Sequence, residues 1–323
     1  MTNWGFLGAG SIARSSLAPA VHADGSATLH SVASTSPERA RALAPLRAHS
    51  SYDALLQDPD VDVVYIALHN SVHCRWTEAA LRAGKHVVCE KPLGLSAGEV
   101  DTMVRAAADT GRLLVEAAWN RWHPRTRDLE SMIEDGSIGT VTSVSARFDG
   151  LAPSPENYRR DPALGGGALL DVGYYAVSAA LAAFGWRDPK VVWAKQDRWD
   201  IGSADRESAC LLEFPGNGVA EIHCSLNGSR AEEFTVTGTA GTLRLSAPAF
   251  CAAAAPALLT GAGRAPRSYP ALDPYRFMVQ AVEKAATGRP GYLVPLEQSR
   301  LIASTIDAVR NHSLAGPDQA DDV

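Results

Sequence analysis

Two acid–base side chains stand four residues apart in the segment that follows a triple glycine at 165–167. If this segment is helical from about Gly167, Asp171 and Tyr175 lie on one face, where a carboxylate and a phenol can exchange protons with one ligand. Tyr174 is three residues from Asp171, so helix geometry barely separates the two tyrosines. Three glycines opening an apolar helix are entropically costly unless something approaches their backbone closely. A packed core helix with a buried Asp cap is an equal alternative.

A lysine with a restricted backbone follows a short apolar strand in the tripeptide Glu90-Lys91-Pro92. The strand, residues 86–89, belongs to a predicted parallel series, and such sheets bind ligands at the carboxyl ends of their strands. Pro92 limits the conformation of Lys91, which can fix its ammonium over a ligand at that edge. The tripeptide alone is more typical of a surface turn, and its place in the chain is what favours a site.

A glycine-rich turn stands between the first predicted strand, residues 4–8, and the first helix, residues 11–23. Glycines at such a turn allow a tight bend and a close approach to a pyrophosphate, whose charge the N-terminus of the helix stabilises. An ordinary strand–helix turn is the alternative, and Pro19 must bend or end the helix. The turn predicts dinucleotide contacts from Gly8, Gly10, Ser11 and Ile12.

The end of the second predicted strand, residues 28–34, indicates which dinucleotide is bound. NAD enzymes usually place an Asp or Glu there to bond the ribose 2′-hydroxyl. This chain has no acid at the strand end and instead carries three hydroxyl residues and a nearby arginine. These groups suit a 2′-phosphate, so NADP(H) is favoured, with NAD as the alternative. The predicted contacts are Ser34, Thr35, Ser36 and Arg39, of which Arg39 is otherwise a solvated helix residue.

Two arrangements of secondary structure position these residues. Short apolar strands alternate with helices over residues 1–120, which predicts a doubly wound parallel sheet, a dinucleotide-binding domain. Residues 121–323 contain predicted helices near 124–135 and 167–184, a strand near 140–148 and an irregular stretch at 150–167. Four or five further strands follow between 190 and 245, then helices near 273–287 and 295–311 and a frayed acidic tail. This pattern predicts an α+β domain with a large, mostly antiparallel open sheet.

Composition argues against several functional classes. The 323 residues carry a net charge of −6, which does not suit a nucleic-acid or anionic-membrane partner. The longest alanine-rich apolar stretch, 251–259, is broken by Pro256, so no membrane span is expected. The five cysteines and nine histidines are scattered without a metal or redox motif. We therefore expect no metal, reduced thiols and a cytoplasmic protein.

Three motifs together resemble the glucose–fructose oxidoreductase, inositol dehydrogenase and rhizopine-catabolism (Gfo/Idh/MocA) family. They are Gly-Ala-Gly-Ser-Ile-Ala at 8–13, Ala-Gly-Lys-His-Val-Val-Cys-Glu-Lys-Pro-Leu at 83–93, and Gly-Gly-Gly-Ala-Leu-Leu-Asp-Val-Gly-Tyr-Tyr at 165–175. The resemblance covers nearly the whole chain and implies a Rossmann domain, a second domain with an open sheet, and hydride transfer between nicotinamide and a carbinol or carbonyl carbon. Many members carry Asp-x-Gly-x-His, and this chain has Tyr175 at the histidine position. That departure resembles the branch of dihydrodiol and aldose dehydrogenases.

The resemblance implies roles for individual residues. Lys91, Tyr175 and Asp171 are implied as the catalytic group, in which the ammonium favours the phenolate of a tyrosine whose free pKa is about 10. Further cofactor contacts are implied for Leu68, Asn70, His73, Glu90, Lys91, Asn120 and Arg121. Substrate contacts are implied for Lys91, Trp119, Arg121, Asp171 and Tyr175. His73 by itself is equally consistent with a histidine on a helix surface.

The predicted protein is an NADP(H)-preferring sugar oxidoreductase, either an aldose dehydrogenase or a keto-sugar reductase. Tyr158, Arg159 and Arg160 lie in the irregular stretch, which is either a substrate-facing loop suited to a nucleotide-sugar phosphate or a solvated loop. The alternatives are a trans-dihydrodiol or dicarbonyl oxidoreductase and a catalytically silent nucleotide-binding sensor. Because family members cover the free face of their sheet with another subunit, a homodimer or homotetramer is expected.

Overall fold

The computed structural model describes residues 1–250 and 256–315. The chain divides into two compact units, Met1–Trp122 with Asp273–Ser299, and His123–Leu272 with Arg300–Val323. The sequence predicts a single division at residue 120, whereas the chain returns to the first unit for residues 273–299. Glu283 in the returning segment explains why, because it accepts hydrogen bonds from Thr2 Oγ1 and, at 2.7 Å, from Trp4 Nε1.

The first unit is built on a six-stranded parallel sheet in the order β3-β2-β1-β4-β5-β6. Its strands are β1 (Thr2–Leu7), β2 (Ala27–Ala33), β3 (Arg47–His49), β4 (Val63–Ile66), β5 (His86–Cys89) and β6 (Leu114–Glu116). Its helices are α1 (Ala18–His22), α2 (Pro37–Arg41), α3 (Tyr52–Leu56), α4 (His73–Arg82), α5 (Ala97–Thr110) and α8 (Pro274–Ala286). This confirms the predicted parallel sheet. Every residue of β4 is buried, as a strand covered on both faces requires.

The strand order reverses between β1 and β4, which sets the ligand edge of this sheet. β1 pairs with β2 on one side and with β4 on the other, so the chain after β1 faces the crevice where doubly wound sheets bind ligands. The first helical stretch begins at Ser11, passes through a π-helical turn at Ala13–Leu17 and continues as α1. Pro19 does not end it: the residue follows the π-helical turn, an irregularity of the kind found where helices accommodate proline, and the helix continues to His22.

The second unit contains an eight-stranded sheet in the order β14-β13-β12-β11-β7-β10-β9-β8. Among the described strands only β7 and β10 pair in parallel, so the predicted mostly antiparallel sheet is confirmed. Its strands are β7 (Val141–Asp149), β8 (Lys190–Arg198), β9 (Asp205–Phe214), β10 (Gly218–Ser225), β11 (Ala231–Gly238), β12 (Gly241–Leu245), β13 (Ala257–Gly261) and β14 (Arg264–Tyr269). The last two were not predicted from the sequence.

The helices of the second unit are α6 (Pro124–Glu134), α7 (Tyr174–Ala183) and most of α9 (Leu296–Ala315). A π-helical turn at Leu169–Gly173 leads into α7, which packs against β7 and β10. The stretch 162–183 is long and apolar enough to cross a membrane, yet 83% of its apolar window is buried inside the fold. It therefore forms core. α9 extends beyond the predicted end at residue 311, and the acidic residues of the expected tail, 318–322, lie outside the described residues.

Candidate active site

The turn after β1 has the geometry that a pyrophosphate needs. Gly8 has φ +98°, and a side chain there would collide with the carbonyl oxygen of Ala67 after β4. Its N–H donates to the carbonyl oxygen of Ala33 at the end of β2, 2.9 Å away. A Cβ on Gly10 would meet nothing within 4 Å, so this backbone faces open space. The turn, with the helix starting at Ser11, therefore fits the predicted anion site.

The carboxyl end of β2 presents hydroxyl groups and a guanidinium. Ser36 caps α2 by accepting from the Arg39 N–H at 3.2 Å, while Ser34 Oγ accepts from the Ser36 N–H at 3.2 Å. Arg39 is exposed and its Nη2 lies 3.5 Å from Thr35 Oγ1. Glu38, which the sequence reasoning left aside, accepts from Ser36 Oγ at 3.0 Å. The structure thus brings the four predicted contacts together, with one carboxylate beside them.

The loop that carries Lys91 is held by three buried side chains. Glu90 accepts from Tyr65 Oη at 2.6 Å and from the Lys91 N–H at 3.3 Å. His73 Nδ1 lies 2.9 Å from the Pro92 carbonyl oxygen, and Glu116 Oε1 accepts from the Leu93 N–H at 2.7 Å. Glu90 is thereby tied to β4, Pro92 to α4 and Leu93 to β6. Glu116, at the end of β6, was not predicted as a site residue.

His73 occupies a supporting position. It is fully buried, and its Nε2 lies 3.1 Å from the Leu68 carbonyl oxygen while Nδ1 faces Pro92. Burial lowers the pKa of His73, although both carbonyl contacts oppose that change. The ring links the loop after β4, which contains the predicted contacts Leu68 and Asn70, to the Lys91 loop. The ring contacts both loops through their backbone carbonyl oxygens.

The turn Trp119–Trp122 after β6 is tied to the returning segment of the first unit. Trp119 stacks on Tyr275 of α8 with ring centroids 5.1 Å apart. Arg121 is buried, and its Nη2 donates to Tyr292 Oη at 3.0 Å and to Gln298 Oε1 at 3.1 Å. Neither partner was foreseen, because both lie more than 170 residues away along the chain. Asn120 is also buried, and its Oδ1 has no hydrogen-bond partner among the described residues.

The second unit brings Asp171 together with an arginine from the irregular stretch. Arg159 Nε donates to Asp171 Oδ2 at 2.6 Å, and its Nη2 lies 3.4 Å from Oδ1. The guanidinium also sits 4.9 Å from the centre of the Tyr158 ring. Burial opposes the positive charge, but the Asp171 carboxylate, Tyr158 and Tyr175 outweigh it and raise the pKa of Arg159. Arg160 instead stacks on Trp199 and donates to the Pro153 carbonyl oxygen.

Tyr175 lies in an aromatic setting at the start of α7. Its ring is 5.5 Å from Phe148 and 6.5 Å from Phe250, and Tyr174 packs edge-on at 5.6 Å. Both tyrosines are buried, and the π-helical turn before them replaces the regular helix assumed in the sequence analysis. Tyr175 is also among the groups that raise the pKa of Arg159.

The triple glycine is explained by the protein itself. A Cβ on Gly166 would collide with the carbonyl oxygens of Tyr158 and Arg159, and one on Gly167 with the Asp205 carboxylate. Gly167 donates to the Arg159 carbonyl oxygen at 2.9 Å, and Asp205 Oδ2 accepts from the Leu169 N–H at 2.8 Å. The glycines let the loop segment that contains Arg159 lie directly against the start of the helix. The close approach expected from the sequence is therefore made by backbone and a carboxylate.

Comparison with known proteins gives matches in both parts of the chain. Residues 2–117 match the model of the Gfo/Idh/MocA oxidoreductase family, NAD-binding Rossmann fold, and residues 126–244 match the C-terminal domain of that family. The D-xylose 1-dehydrogenase (NADP(+)) 2 of Haloferax volcanii is 34% identical over 322 residues, 97% of this chain and 98% of that protein.

Two further proteins show the range of related activities. The trans-1,2-dihydrobenzene-1,2-diol dehydrogenase of Oryctolagus cuniculus is 35% identical over 210 residues, 64% of this chain and 61% of that protein. The crystal structure of a 3-ketoreductase from Actinomadura kijaniata with NADP and TDP-benzene superposes with a TM-score of 0.88 at 27% identity, covering 96% of this chain and 97% of that one.

Proposed function

We propose a reaction for this chain from one premise: it belongs to the Gfo/Idh/MocA oxidoreductase family. The reaction is hydride transfer between a nicotinamide cofactor and a sugar or a sugar-derived alcohol or ketone. The observation that carries the proposal is the Lys91 loop, whose backbone is tied by Glu90, His73 and Glu116 at the ligand edge of a parallel sheet. The near-complete match to a xylose dehydrogenase supports an aldose, and the ketoreductase match supports a keto-sugar.

The residues of the first unit fit a dinucleotide. The open backbone at Gly10 and the helix start at Ser11 would hold the pyrophosphate, and Ser34, Thr35 and Arg39 would bond a 2′-phosphate. The amide oxygen of Asn120 is an acceptor for a cofactor donor. We propose NADP(H) as the preferred cofactor, which agrees with the names of the xylose dehydrogenase and the ketoreductase complex. When bound, the nicotinamide supplies or accepts the hydride.

The protein's own residues move the proton. In alcohol oxidation the substrate O–H bond breaks, and its proton passes to the phenolate oxygen of Tyr175; in carbonyl reduction the phenol returns it. We propose that the Lys91 ammonium orients the substrate oxygen. We propose Asp171, Trp119 and Tyr158 as further substrate-facing groups, while Arg121 acts by anchoring the turn that holds Trp119 and Asn120.

A trans-dihydrodiol is the second candidate substrate. The rings of Phe148, Tyr175 and Phe250 form a buried aromatic cluster in the second unit, and stacking on such rings suits a flat apolar ligand. The partial match to a dihydrodiol dehydrogenase supports the same class. A panel of aldoses, nucleotide-sugars and trans-dihydrodiols, assayed with NADP⁺, separates the two candidates by relative kcat/KM.

The catalytic proposal is tested by three substitutions. Tyr175→Phe should lower kcat by roughly 10²–10⁴-fold with folding intact, since a positioned acid–base is lost. Lys91→Ala should be at least as damaging, and the double variant should lose less than the product of the two. Tyr174→Phe is the matched control and should have a mild effect. Full activity in both Tyr175→Phe and Lys91→Ala contradicts the assignment, and no turnover by the wild type across the panel favours a silent sensor.

The cofactor proposal is tested by titration. NADP(H) should bind at least several-fold tighter than NAD(H), because the end of β2 offers hydroxyls and a guanidinium. Arg39→Ala should weaken only the phosphorylated cofactor, by about 1 kcal/mol or more for a lost charge-assisted contact. Arg41→Ala, on the same short helix, is the control. Equal or tighter binding of NAD(H) by the wild type would exclude the preference.

The cysteines support a proposed cytoplasmic location. Cys74, Cys89, Cys210 and Cys224 are free thiols in the described part of the chain. Burial raises the pKa of Cys210 to about 12 and the pKa of Cys89 and Cys224 well above the ordinary value. Buried thiols of this kind pack as small apolar side chains and suit a reducing compartment.

A further inference from the structure

Arg159 is held by Asp171 through two contacts between the guanidinium and the carboxylate. Its Nε–Oδ2 distance of 2.6 Å and Nη2–Oδ1 distance of 3.4 Å describe a two-point contact with the carboxylate. The contact is built into the fold, because the carbonyl oxygen of Arg159 also accepts from the Gly167 N–H at 2.9 Å. A side chain at Gly166 would push this loop away from the helix. The guanidinium is thus fixed beside the segment that carries both proton-transfer candidates of the second unit.

The charges around Tyr175 explain what this contact does. An isolated carboxylate at Asp171 would oppose a negative phenolate on Tyr175, since like charges disfavour ionisation. The guanidinium cancels that carboxylate and adds its own attraction for the phenolate. The interaction is mutual: Tyr175 is among the groups that raise the pKa of Arg159, so Arg159 favours the ionised phenol in return.

Other titratable groups lie near α7, and those of β7 point away from the phenol. On β7, Phe148 faces Tyr175, so the alternating residues Arg147 and Asp149 point to the opposite face of the sheet. There they pair with each other and with His223 of β10. Tyr158 lies against the guanidinium itself. Arg159 with Asp171 is therefore a charged pair at the start of this helix. Glu232 of β11 is a second carboxylate on the Tyr175 side, because it pairs with Phe148 and accepts from the Phe250 N–H at 2.9 Å.

We propose that Arg159 is a positioning residue for proton transfer, which neutralises Asp171 and keeps Tyr175 competent as a base. This inference rests on the proposed role of Tyr175. It changes the role of Asp171 from a free acid–base to the counter-ion that fixes the guanidinium. It also means that neither Arg159 nor Asp171 is available as the main anchor of a substrate phosphate.

The test compares opposite charge changes at one pair. Arg159→Gln leaves the carboxylate unmasked, so the acidic limb of the kcat–pH profile for sugar oxidation with NADP⁺ should move up by about one pH unit or more. Asp171→Asn leaves the guanidinium unmasked, so the limb should move down. The double variant should fall between the two. Arg206→Gln breaks a similar Arg–Asp contact elsewhere in the unit and should not move the limb.

A readout without turnover separates this inference from the proposed function. Titration of the full chain labelled with [ζ-¹³C]tyrosine, with the Tyr175 signal assigned from Tyr175→Phe, reports the phenol directly. The Tyr175 signal should titrate at higher pH in Arg159→Gln and at lower pH in Asp171→Asn. Shifts of the same sign, or no shift in either variant, overturn the inference. If Tyr175→Phe keeps full activity while the two shifts are seen, Arg159 and Asp171 do control the titration of the Tyr175 phenol. In that case only the catalytic role of Tyr175 is excluded. If Arg159→Gln does not fold, Asp171→Asn decides the question by the sign of its shift.

Discussion

One buried histidine, the first residue of the second unit, makes the stability of the fold depend on pH. His123 precedes Pro124, and its Nδ1 accepts from the Arg125 N–H at 3.0 Å, which caps α6. The side chain is 2% exposed, and burial together with the positive charge of Arg125 lowers the pKa of His123 from 6.5 to about 4. A protonated ring cannot accept at Nδ1, so the cap and the neutral ring are linked.

We expect this residue to weaken the fold in acid. Between pH 6.5 and 4 the unfolded chain binds a proton at His123 that the folded chain does not, so stability falls as the pH is lowered. The loss begins below pH 6.5, levels off below pH 4 and amounts to about 3 kcal/mol. His123→Asn also caps a helix but does not titrate. Urea unfolding at pH 7.5, 5.5 and 4.5 should show the variant gaining on the wild type as the pH falls, and parallel curves contradict the assignment.

Residue identity indicates some members of this candidate site and not others. Gly8, Lys91 and Tyr175 stand in local motifs whose chemistry depends on neighbours a few positions away. The partners of Arg121 and Arg159 depend instead on where distant or irregular segments fold, and no periodicity encodes the 159–171 contact. The π-helical turn before Tyr175 is not predicted either, because apolar spacing near 3.6 residues cannot reveal one extra residue in a turn.

At the scale of elements, the Lys91 loop depends on β6 as much as on its own strand. Glu116 is 1% exposed, and its Oε1 receives the Leu93 N–H. Glu116→Ala removes this acceptor and should cost about 1–3 kcal/mol of unfolding free energy. It should also lower kcat more than cofactor affinity, because the ammonium of Lys91 is no longer held in place. Both quantities come from urea unfolding and from steady-state kinetics with cofactor titration.

Two controls define that prediction. Glu116→Gln keeps an acceptor oxygen of the same reach and should recover most of the stability and of kcat. Glu78→Ala removes a partly exposed contact with Arg82 and should cost less than about 1 kcal/mol. Equal losses in Glu116→Ala and Glu78→Ala would show that the buried contact does not hold the loop.

Elements with strong patterns were predicted, and elements with weak patterns were not. β5 has a continuous apolar run and coincides with the predicted strand 86–89. The sequence also predicts a helix at 96–110, and α5 begins one residue later and ends at a glycine cap, Gly111 at φ +62°. β14 contains Pro266, and its residues show no alternation of apolar and polar side chains. It is tolerated because it is the edge strand, where a missing N–H costs no pairing. β3 and α3 are too short for periodicity to indicate them.

At the scale of the whole molecule, the described residues show α7 packed on one face of the large sheet of the second unit, while the opposite face carries exposed side chains. Ala220, Ile222 and Cys224 of β10 are buried on the α7 side, so Val219, Glu221 and His223 alternate to the other. Trp193 of β8 pairs with Leu211 of β9 on that second face, which gives it an apolar strip. Trp193 is 48% exposed and Val219 38% exposed, values that an interface would reduce.

We predict that this face joins subunits into a homodimer or homotetramer. Covering such a strip removes apolar area from water, and about 800 Å² per subunit is typical of a stable interface. Multi-angle light scattering should therefore return a multiple of 34.2 kDa at micromolar concentration. Trp193→Lys, which places a charge in the strip, should lower that mass, whereas Leu46→Lys changes a residue that is 71% exposed in the first unit and should not. A wild-type mass near 34 kDa would leave the strip facing water and refute the interface, because no subunit would then be covering Trp193.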